Sequence, residues 1–174
     1  MPSIAVTGSP GVGKTTITQL LIEQGWQTMS VSDLAKKFDC EGDFDESMNS
    51  QEIDIHLLAE RFNPDSGKRV IIDGHLSHFL AADAIIILRC RPDELKTRLA
   101  ARGYSDDKIT ANVEWELLSG TWAEIIEFDI SQPILEIDTS GLSPQEVAEC
   151  ISTWIDGGMV ENRPTTAIDW LEDN

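Results

Sequence analysis

The feature that most constrains the fold of this chain is a glycine-rich run close to its first residues. Residues 8–15 read G-S-P-G-V-G-K-T, which matches the pattern G-x-x-x-x-G-K-[ST] at every fixed position. A short apolar run, Ile4-Ala5-Val6, precedes it, and apolar residues at helical spacing follow from Lys14 to Gln24. A strand that passes through such glycines into a helix points several backbone N–H groups at one anion. The pattern therefore predicts a strand, a phosphate-binding loop and a helix, in that order.

The rest of the chain alternates short apolar runs with segments of helical spacing. Strands that alternate with helices are typical of βαβ units, so we expect an α/β fold with a five-stranded parallel sheet flanked by helices. Ser32 and Asp33 are interpreted as the cap of a short helix. Residues 39–54 are interpreted as a loop or small mobile insertion, and Ser105 as the cap of one long helix that reaches Ile125. The four further strands are predicted at residues 26–31, 70–73, 84–88 and 133–137.

The composition limits the classes of function. The 174 residues include 31 acidic and 13 basic side chains, and the net charge is -18. So acidic a surface repels phosphate backbones, which argues against general nucleic-acid binding. Two explanations of the negative charge remain open, a basic partner or a saline environment. The longest apolar run, Ala84–Leu88, is shorter than the roughly 20 residues of a membrane span. Because no signal-peptide pattern follows Met1, we expect a cytoplasmic protein that binds no membrane.

Thr15 and Asp73 are the two candidates to hold a magnesium ion near the phosphate loop. The hydroxyl of Thr15 would ligate Mg²⁺, while Lys14 beside it would bring a positive charge to the β- and γ-phosphates of a nucleotide. A second anchor is expected at the end of a neighbouring strand, and the apolar run at residues 70–72 ends in Asp73. The alternative for Asp73 is that it caps the turn that follows it.

A histidine lies two residues beyond this carboxylate. His75 would sit at the carboxyl end of a predicted parallel strand, where ligands bind in open α/β sheets. We expect it to orient an attacking water or the acceptor, and a structural role is the alternative. His56 and His78 have no such position and are interpreted as surface or packing residues.

Arginine side chains are the expected partners of a transferring phosphoryl group, because the guanidinium fork matches several oxygens at once. Arg89 and Arg91 follow a predicted strand, so both are expected at the carboxyl edge of the sheet. Arg98 and Arg102 are four residues apart and share one face of a helix. Arg102 is followed by Gly103, which begins a predicted mobile loop. For Arg98 and Arg102 the alternative is an ordinary solvated helix charge.

Four motifs together resemble the adenylate kinase isoenzyme six family. They are G-S-P-G-V-G-K-T-T at 8–16, S-D-L-A at 32–35, D-G-H at 73–75 and R-G-Y-S-D-D-K-I-T-A-N-V-E at 102–114. The eukaryotic members include a coilin-interacting nuclear ATPase, and archaea have their own members. The resemblance covers about residues 3–157, and the stretch that begins at 102 is its most specific part.

The resemblance implies a P-loop NTPase of the nucleoside-monophosphate-kinase type over residues 1–158. Carried over by position, a monophosphate-binding insertion would span about 31–54 and a lid about 101–111. Residues 159–174 form an acidic C-terminal tail outside the family core. The implied activities are the Mg²⁺-dependent reaction of ATP with AMP to give two ADP, and ATP hydrolysis.

The motifs and the resemblance together assign roles to eight residues. The triphosphate of ATP is expected on Gly11, Gly13, Lys14, Thr15, Thr16 and Arg102. The catalytic set is Lys14, Asp73, His75 and Arg102. Mg²⁺ is expected on Thr15 directly, and on Asp73 directly or through water.

The resemblance also implies partners. The family acts in late maturation of the small ribosomal subunit, where it binds a basic platform ribosomal protein and assists cleavage of precursor rRNA. The same implied partner here would be a basic ribosomal protein, with precursor rRNA reached only indirectly. A net charge of -18 agrees with a partner of that kind.

Two departures from ordinary adenylate kinases concern the phosphate acceptor. Residues 73–77 read D-G-H-L-S where ordinary adenylate kinases have D-G-F-P-R, so an arginine for the acceptor phosphate is missing. Residues 39–54 carry seven acids, and the basic side chains of the implied insertion are Lys36 and Lys37. These departures favour ATP hydrolysis over efficient AMP phosphorylation. Two rivals remain open: a kinase of another small molecule such as a nucleoside or shikimate, and a non-catalytic module that binds nucleotide and ribosomal protein.

Overall fold

The structure is a computed structural model that describes residues 1–65, 67–159, 164 and 167–172. Within those residues the chain forms seven strands, seven α-helices and one short 3-10 helix at Ser77–Phe79. The strands are β1 (Ser3–Thr7), β2 (Gln27–Ser30), β3 (Glu41–Asp45), β4 (Ser50–Ile53), β5 (Val70–Asp73), β6 (Ala84–Arg89) and β7 (Ile134–Asp138). The helices are α1 (Lys14–Glu23), α2 (Val31–Lys37), α3 (Ile55–Arg61), α4 (Pro92–Ala101), α5 (Asp106–Leu117), α6 (Gly120–Glu127) and α7 (Pro144–Asp156).

Five of the strands form one parallel sheet in the order β2-β5-β1-β6-β7. Every residue of the central strand β1 is buried, because helices cover both faces of the sheet. In the register, Val6 pairs with Asp73, and Ser30 pairs with Asp73 from the other side. The carboxyl ends of β1, β2 and β5 therefore meet at one edge. The predicted five-stranded parallel sheet flanked by helices is confirmed.

The two faces of the sheet bury different helices. On one face, Val6 and Leu88 pack with Leu21 of α1 and Ile151 of α7 in a single apolar cluster. On the other face, α2, α3 and α6 cover the strand residues whose side chains point to the opposite side of the sheet, such as Ile72. No helix within the described residues is long and apolar enough to cross a membrane.

The segment at residues 39–54 contains a hairpin, so the prediction of a loop was wrong there, while the alternative of a small mobile insertion stays a prediction. Strands β3 and β4 pair antiparallel, with Phe44 opposite Gln51. The base of the hairpin is closed by a hydrogen bond from the N–H of Asp54 to the carbonyl of Cys40, 2.9 Å long. The local sequence did not predict these strands, because its seven acids are poor strand formers. Cross-strand pairing also depends on neighbours on the opposite strand, which the local pattern does not show.

Two helix boundaries also differ from the sequence expectation. The cap of α2 is Ser30 and not Ser32, since the hydroxyl of Ser30 accepts from the N–H of Asp33 at 3.0 Å. The single long helix after Ser105 is two helices, separated where Ser119 takes a left-handed φ of 54°. A side chain at the next residue, Gly120, would place its Cβ 2.2 Å from the Trp115 ring, so the break requires glycine there.

Part of the predicted acidic tail at 159–174 lies outside the described residues, and part of it packs on the core. Trp170 is 6% exposed, and its indole N–H donates to Oε1 of Glu116 at 3.0 Å. The division into residues 1–158 and 159–174 stays a prediction.

Candidate active site

A pocket of about 630 Å³ opens at the edge where β1, β2 and β5 end. The phosphate loop forms its floor, Asp73 and His75 form one wall, and Arg102 reaches it from the end of α4. All but one of the eight predicted site residues line this pocket. The exception, Thr16, lines a second pocket of about 440 Å³ on the other side of the loop, which Arg102 also lines. The structure therefore brings the predicted set together around the phosphate loop.

Glycines determine the path of the phosphate loop. At Gly8, φ is 130° and an added Cβ would lie 2.3 Å from the carbonyl oxygen of Leu88, so only glycine lets the loop pass so close to β6. Gly13 is the N-cap of α1 with φ of 108°. No side chain of the described residues caps this helix, which leaves its first N–H groups available to bind an anion.

The outer side of the loop is held by three hydrogen-bonding side chains. Ser9 donates its hydroxyl to Oε2 of the buried Glu116 at 2.6 Å. Arg98 donates from Nη1 to the carbonyl of Val12 at 3.3 Å, and Thr139 lies 3.0 Å from the same carbonyl. Arg98 therefore supports the loop and forms an ion pair with Glu94. In this structure its guanidinium is neither a plain solvated charge nor free to serve only as a phosphate ligand.

Lys14 lies over the loop that carries it. Its Nζ donates to the carbonyl oxygens of Gly8 at 2.7 Å and Ser9 at 2.9 Å. Burial lowers the pKa of Lys14 to about 8, and the nearby Asp73 carboxylate opposes that shift. The ammonium is thus charged at neutral pH, but it loses its proton far more easily than an exposed lysine.

Asp73 and Thr15 offer the oxygen ligands expected for a magnesium ion. Burial raises the pKa of Asp73, while the charge of Lys14 and a hydrogen bond from Thr18, 3.3 Å long, oppose the rise. Among the described residues no group of three or more histidine, cysteine or acidic side chains could hold a metal alone. One carboxylate and one hydroxyl fit Mg²⁺ well, because this ion takes few protein ligands and fills its other positions with phosphate and water.

His75 reaches the pocket from the turn after β5. Its backbone carbonyl accepts from the hydroxyl of Thr7 at 3.0 Å, which ties this turn to the end of β1. Burial in the pocket wall and the charge of Lys14 lower the pKa of His75 to about 4. The imidazole is therefore neutral at physiological pH and can accept a hydrogen bond.

The other two histidines lie away from the pocket lining. His78 is buried, with Nδ1 2.9 Å from the hydroxyl of Thr7 and Nε2 3.0 Å from Oε2 of Glu124. His56 is exposed and its ring contacts Phe79 and Phe128. Both observations agree with the interpretation of these histidines as packing or surface residues.

Arg89 and Arg91 lie at and just beyond the carboxyl end of β6, as expected, but neither lines the pocket on the phosphate loop. Arg89 is 2% exposed, and its guanidinium forms ion pairs with Glu116 at 2.7 Å and with Glu136 at 2.6 Å. Arg91 points outward and lies 3.7 Å from Asp93. The side chain of Arg89 is instead buried in the protein, where two buried carboxylates neutralise its charge.

Sequence reasoning missed the wall that α5 supplies. Tyr104, Lys108, Asn112 and Trp115 all line the pocket, and Lys108 holds its Nζ 4.4 Å from the ring centroid of Tyr104. Tyr104 lies just before Ser105, the N-cap of α5, and the other three follow at spacings of four and three residues on one face of that helix. The stretch at 102–114 that carried the family resemblance contains three of the four, but the resemblance implied only a lid there and gave these side chains no role.

The side of the pocket that would receive an acceptor under the predicted monophosphate-binding insertion is lined by Ser30, Ser32, Met48 and Ser50, from the start of α2 and from the hairpin. Lys36 and Lys37, the two cations of the implied insertion, are exposed and do not line the pocket. The cationic side chains of the lining are Lys14, Arg102 and Lys108.

The sheet order and the loop after its central strand define a P-loop NTPase of the nucleoside-monophosphate-kinase type. A family model described as "AAA domain" matches residues 4–119. A protein of Thermococcus kodakarensis described as "Putative adenylate kinase" is 43% identical over 97% of this chain and 93% of its own length. The chain belongs to this family of adenylate-kinase-like proteins. Its resemblance to the isoenzyme six type stays a prediction.

Solved kinase structures share the fold. Shikimate kinase from Acinetobacter baumannii superposes with a TM-score of 0.61 at 15% identity and covers 92% of this chain and 96% of its own. Deoxyadenosine kinase from M. mycoides, with bound dATP, gives a TM-score of 0.57 at 16% identity, covering 88% of this chain and 99% of its own. At such identities the likeness establishes the fold alone.

The lowered pKa of Lys14 predicts that nucleotide binding takes up a proton. A bound phosphate favours the ammonium form and raises the pKa of Lys14 from its value of about 8. Affinity for Mg·ATP should therefore fall as the pH rises above 8, approaching about tenfold per pH unit. Calorimetry in two buffers of different ionisation enthalpy should show proton uptake near pH 8.5 and much less near pH 7. Equal binding enthalpies in the two buffers at pH 8.5 would contradict the assignment.

His75→Ala is expected to separate turnover from nucleotide binding. Loss of an orienting group should slow ADP release by roughly 10²-fold or more, whereas ATP affinity should hardly change because Lys14 and the loop amides remain. With a pKa of about 4, His75 should also add no pH dependence to the wild-type rate between pH 6 and 8. His56→Ala is the matched control and should leave both quantities unchanged. Equal losses of binding and turnover in His75→Ala would make His75 structural.

Proposed function

We propose that this protein is a Mg²⁺-dependent ATP phosphotransferase that transfers the γ-phosphoryl group to AMP, and to water when no acceptor is bound. One observation carries the proposal: Lys14, Thr15, Asp73, His75 and Arg102, which come from separate parts of the chain, line a single pocket on the phosphate loop. The description of the Thermococcus kodakarensis relative as "Putative adenylate kinase" supports AMP as the acceptor.

Each side chain has a separate task in this reaction. Lys14 would donate to the β- and γ-phosphate oxygens in place of the loop carbonyls that now accept from it. Arg102 lies where α4 ends and would contact the phosphates from the other side. Thr15 and Asp73 would hold Mg²⁺, which neutralises phosphate charge when it is bound. Positioning and charge stabilisation supply most of the catalysis in phosphoryl transfer, so this set is sufficient.

His75 would align the nucleophile. A neutral imidazole accepts a hydrogen bond from an attacking water, and its low pKa keeps it in that form at neutral pH. An AMP phosphate needs no proton removed at that pH, so His75 would contribute less to kinase turnover than to hydrolysis. The two activities should therefore depend on His75 to different degrees.

The acceptor side suits AMP only in part. Its lining offers the hydroxyls of Ser30, Ser32 and Ser50 but no arginine or lysine from α2 or the hairpin. An acceptor phosphate would have to reach Lys108 or Arg102 across the pocket. This lining supports the proposal that hydrolysis competes with AMP phosphorylation. Because this wall is rich in hydroxyls, a polyhydroxylated carboxylate such as shikimate is the second candidate acceptor.

We further propose a basic protein partner, of the kind that a small-subunit platform ribosomal protein represents, with a role in ribosomal subunit maturation and only indirect contact with precursor rRNA. The net charge of -18 supports such a partner. The hairpin is a candidate contact surface, because Glu41, Asp43 and Glu52 are exposed on it and Phe44 is 55% exposed beside them. The exposed ring of Phe44 among these acids suits a basic partner that also presents an apolar side chain.

Measurement of ADP release tests the proposed activity. Wild-type protein with Mg·ATP should release ADP without an acceptor and faster with AMP, while shikimate should have no effect. Lys14→Ala should retain less than about a tenth of the rate, a loss above roughly 1.4 kcal/mol, because this lysine contacts charge that grows in the transition state. Asp73→Asn should behave like withdrawal of Mg²⁺.

Three outcomes would contradict this assignment. Stimulation by shikimate and not by AMP would favour a kinase of another small molecule. Absence of turnover with intact ATP binding would favour a non-catalytic assembly module. Unchanged Mg²⁺ dependence in Asp73→Asn would remove this residue from the metal site.

Binding to a basic platform ribosomal protein should weaken as salt increases, because exposed charges are screened beyond about 10 Å at 0.1 M ionic strength. Asp43→Asn combined with Glu52→Gln should weaken binding, whereas neutralising Glu149 and Asp156 on α7 should change it far less. Salt-insensitive binding, or equal losses in the two double variants, would contradict the hairpin surface. A steep rise of protein stability in molar salt would instead favour a saline environment as the reason for the charge.

A further inference from the structure

The chain returns to the core behind the phosphate loop after its last helix. Trp170 is 6% exposed there, and its indole N–H donates to Oε1 of Glu116 at 3.0 Å. Both backbone polar groups of Ile168 form hydrogen bonds to buried side chains. Its N–H donates to Oε2 of Glu136 at 3.0 Å, and its carbonyl accepts from Nη1 of Arg89 at 3.1 Å.

Glu116 connects this segment to the phosphate loop. The residue is 3% exposed, and its Oε1 also accepts from Nε of Arg89 at 2.7 Å and from the backbone N–H of Cys90 at 3.2 Å. The other carboxylate oxygen, Oε2, accepts from the hydroxyl of Ser9 at 2.6 Å. The backbone carbonyl of Ser9 in turn accepts from Nζ of Lys14 at 2.9 Å. A series of polar contacts therefore joins Trp170 to Lys14 through one carboxylate and one loop residue.

We propose that Trp170 is a positioning residue for ATP binding: with Arg89 it fixes the carboxylate of Glu116, which holds Ser9 and so keeps the phosphate loop in the conformation that receives a triphosphate. A buried carboxylate keeps its orientation only while its donors remain in place. Without the indole N–H, Glu116 gains freedom to rotate and the anchor at Ser9 loosens. The inference rests on the proposed ATP binding and extends that site to a segment outside the matched range 4–119.

Trp122 on α6 supplies a matched control. It is also 6% exposed, and its indole N–H donates to Oε1 of Glu136 at 2.9 Å. Glu136 belongs to the same buried cluster through Arg89, but it makes no hydrogen bond to Ser9. Replacing either tryptophan by phenylalanine removes one indole N–H from a buried carboxylate and keeps an aromatic ring. The two substitutions should therefore cost similar stability, and only one of them should reach the phosphate loop.

The experiment measures the Kd for Mg·ATP and the Tm of the full chain in wild type, Trp170→Phe and Trp122→Phe, each with and without Ser9→Ala. Trp170→Phe should raise the Kd roughly threefold to tenfold, within the range by which residues remote from a ligand modulate its binding. Trp122→Phe should lower the Tm to a similar extent and leave the Kd within about twofold of wild type. Ser9→Ala should raise the Kd, and should raise it little further in Trp170→Phe, because both changes interrupt one series of contacts.

Three results in these variants would overturn the inference. One is an unchanged Kd in Trp170→Phe despite a lower Tm, which would make the role of Trp170 purely structural. A second is an equal rise of the Kd in both tryptophan variants, which would indicate general loosening of the core. The third is full additivity of the effects of Trp170→Phe and Ser9→Ala, which would exclude a shared series of contacts.

Hydrogen exchange of the wild-type protein gives a second measurement that does not depend on any variant folding. Coupling between two sites is reciprocal, so Mg·ATP should slow exchange of the indole N–H of Trp170, which donates to Glu116, and should leave that of Trp122, which donates to Glu136, unchanged. Protection of the loop amides with no change at the indole N–H of Trp170 would overturn the positioning role. A wild-type protein that binds no ATP would overturn the proposed function, and this inference with it.

Discussion

The buried guanidinium of Arg89 is the group on which the region behind the phosphate loop depends. It donates to Glu116 and Glu136, to the hydroxyl of Ser119 and to the carbonyl of Ile168, and so it joins β6, β7, α5 and the end of the described chain. Breaking one partner of such a buried pair leaves an uncompensated charge, at a cost of about 3–5 kcal/mol. The fold therefore holds one carboxylate, that of Glu116, rigidly enough to anchor a loop.

The charge distribution sets the active pocket apart from the rest of the molecule. The chain as a whole carries a charge of -18, yet Lys14, Arg102 and Lys108 all line one pocket. Asp73 is the one carboxylate among the described lining residues, and a cleft in which one sign of charge predominates concentrates a ligand of the opposite sign even when the outer surface would repel it. The same charges act on their neighbours, since Lys14 helps to keep His75 neutral and limits the rise in the pKa of Asp73. The acidic exterior and the cationic pocket thus suit different ligands, a basic partner and a nucleotide.

Much of the site followed from the sequence because its parts are local or lie at strand ends. The loop at 8–15 is one contiguous motif, Asp73 ends a predicted parallel strand, and His75 lies two residues beyond it, at the edge where ligands bind in such sheets. Arg89 also ends a strand but does not line the pocket, because a side chain at a strand end can point into the pocket or into the core. Its direction was decided by Glu116 and by residues still further along the chain.

The sequence by itself determined the phosphate loop, the parallel sheet and the edge at which the site forms, because these depend on glycine conformation, apolar periodicity and strand polarity. Only the tertiary structure decided the break at Ser119, the wall that α5 supplies and the contact of Trp170 with Glu116. Each of these depends on side chains that are distant in sequence and meet only after packing, such as the indole of Trp170 and a carboxylate 54 positions before it. Local sequence patterns do not predict such contacts, because burial and hydrogen-bond partners are properties of the assembled core.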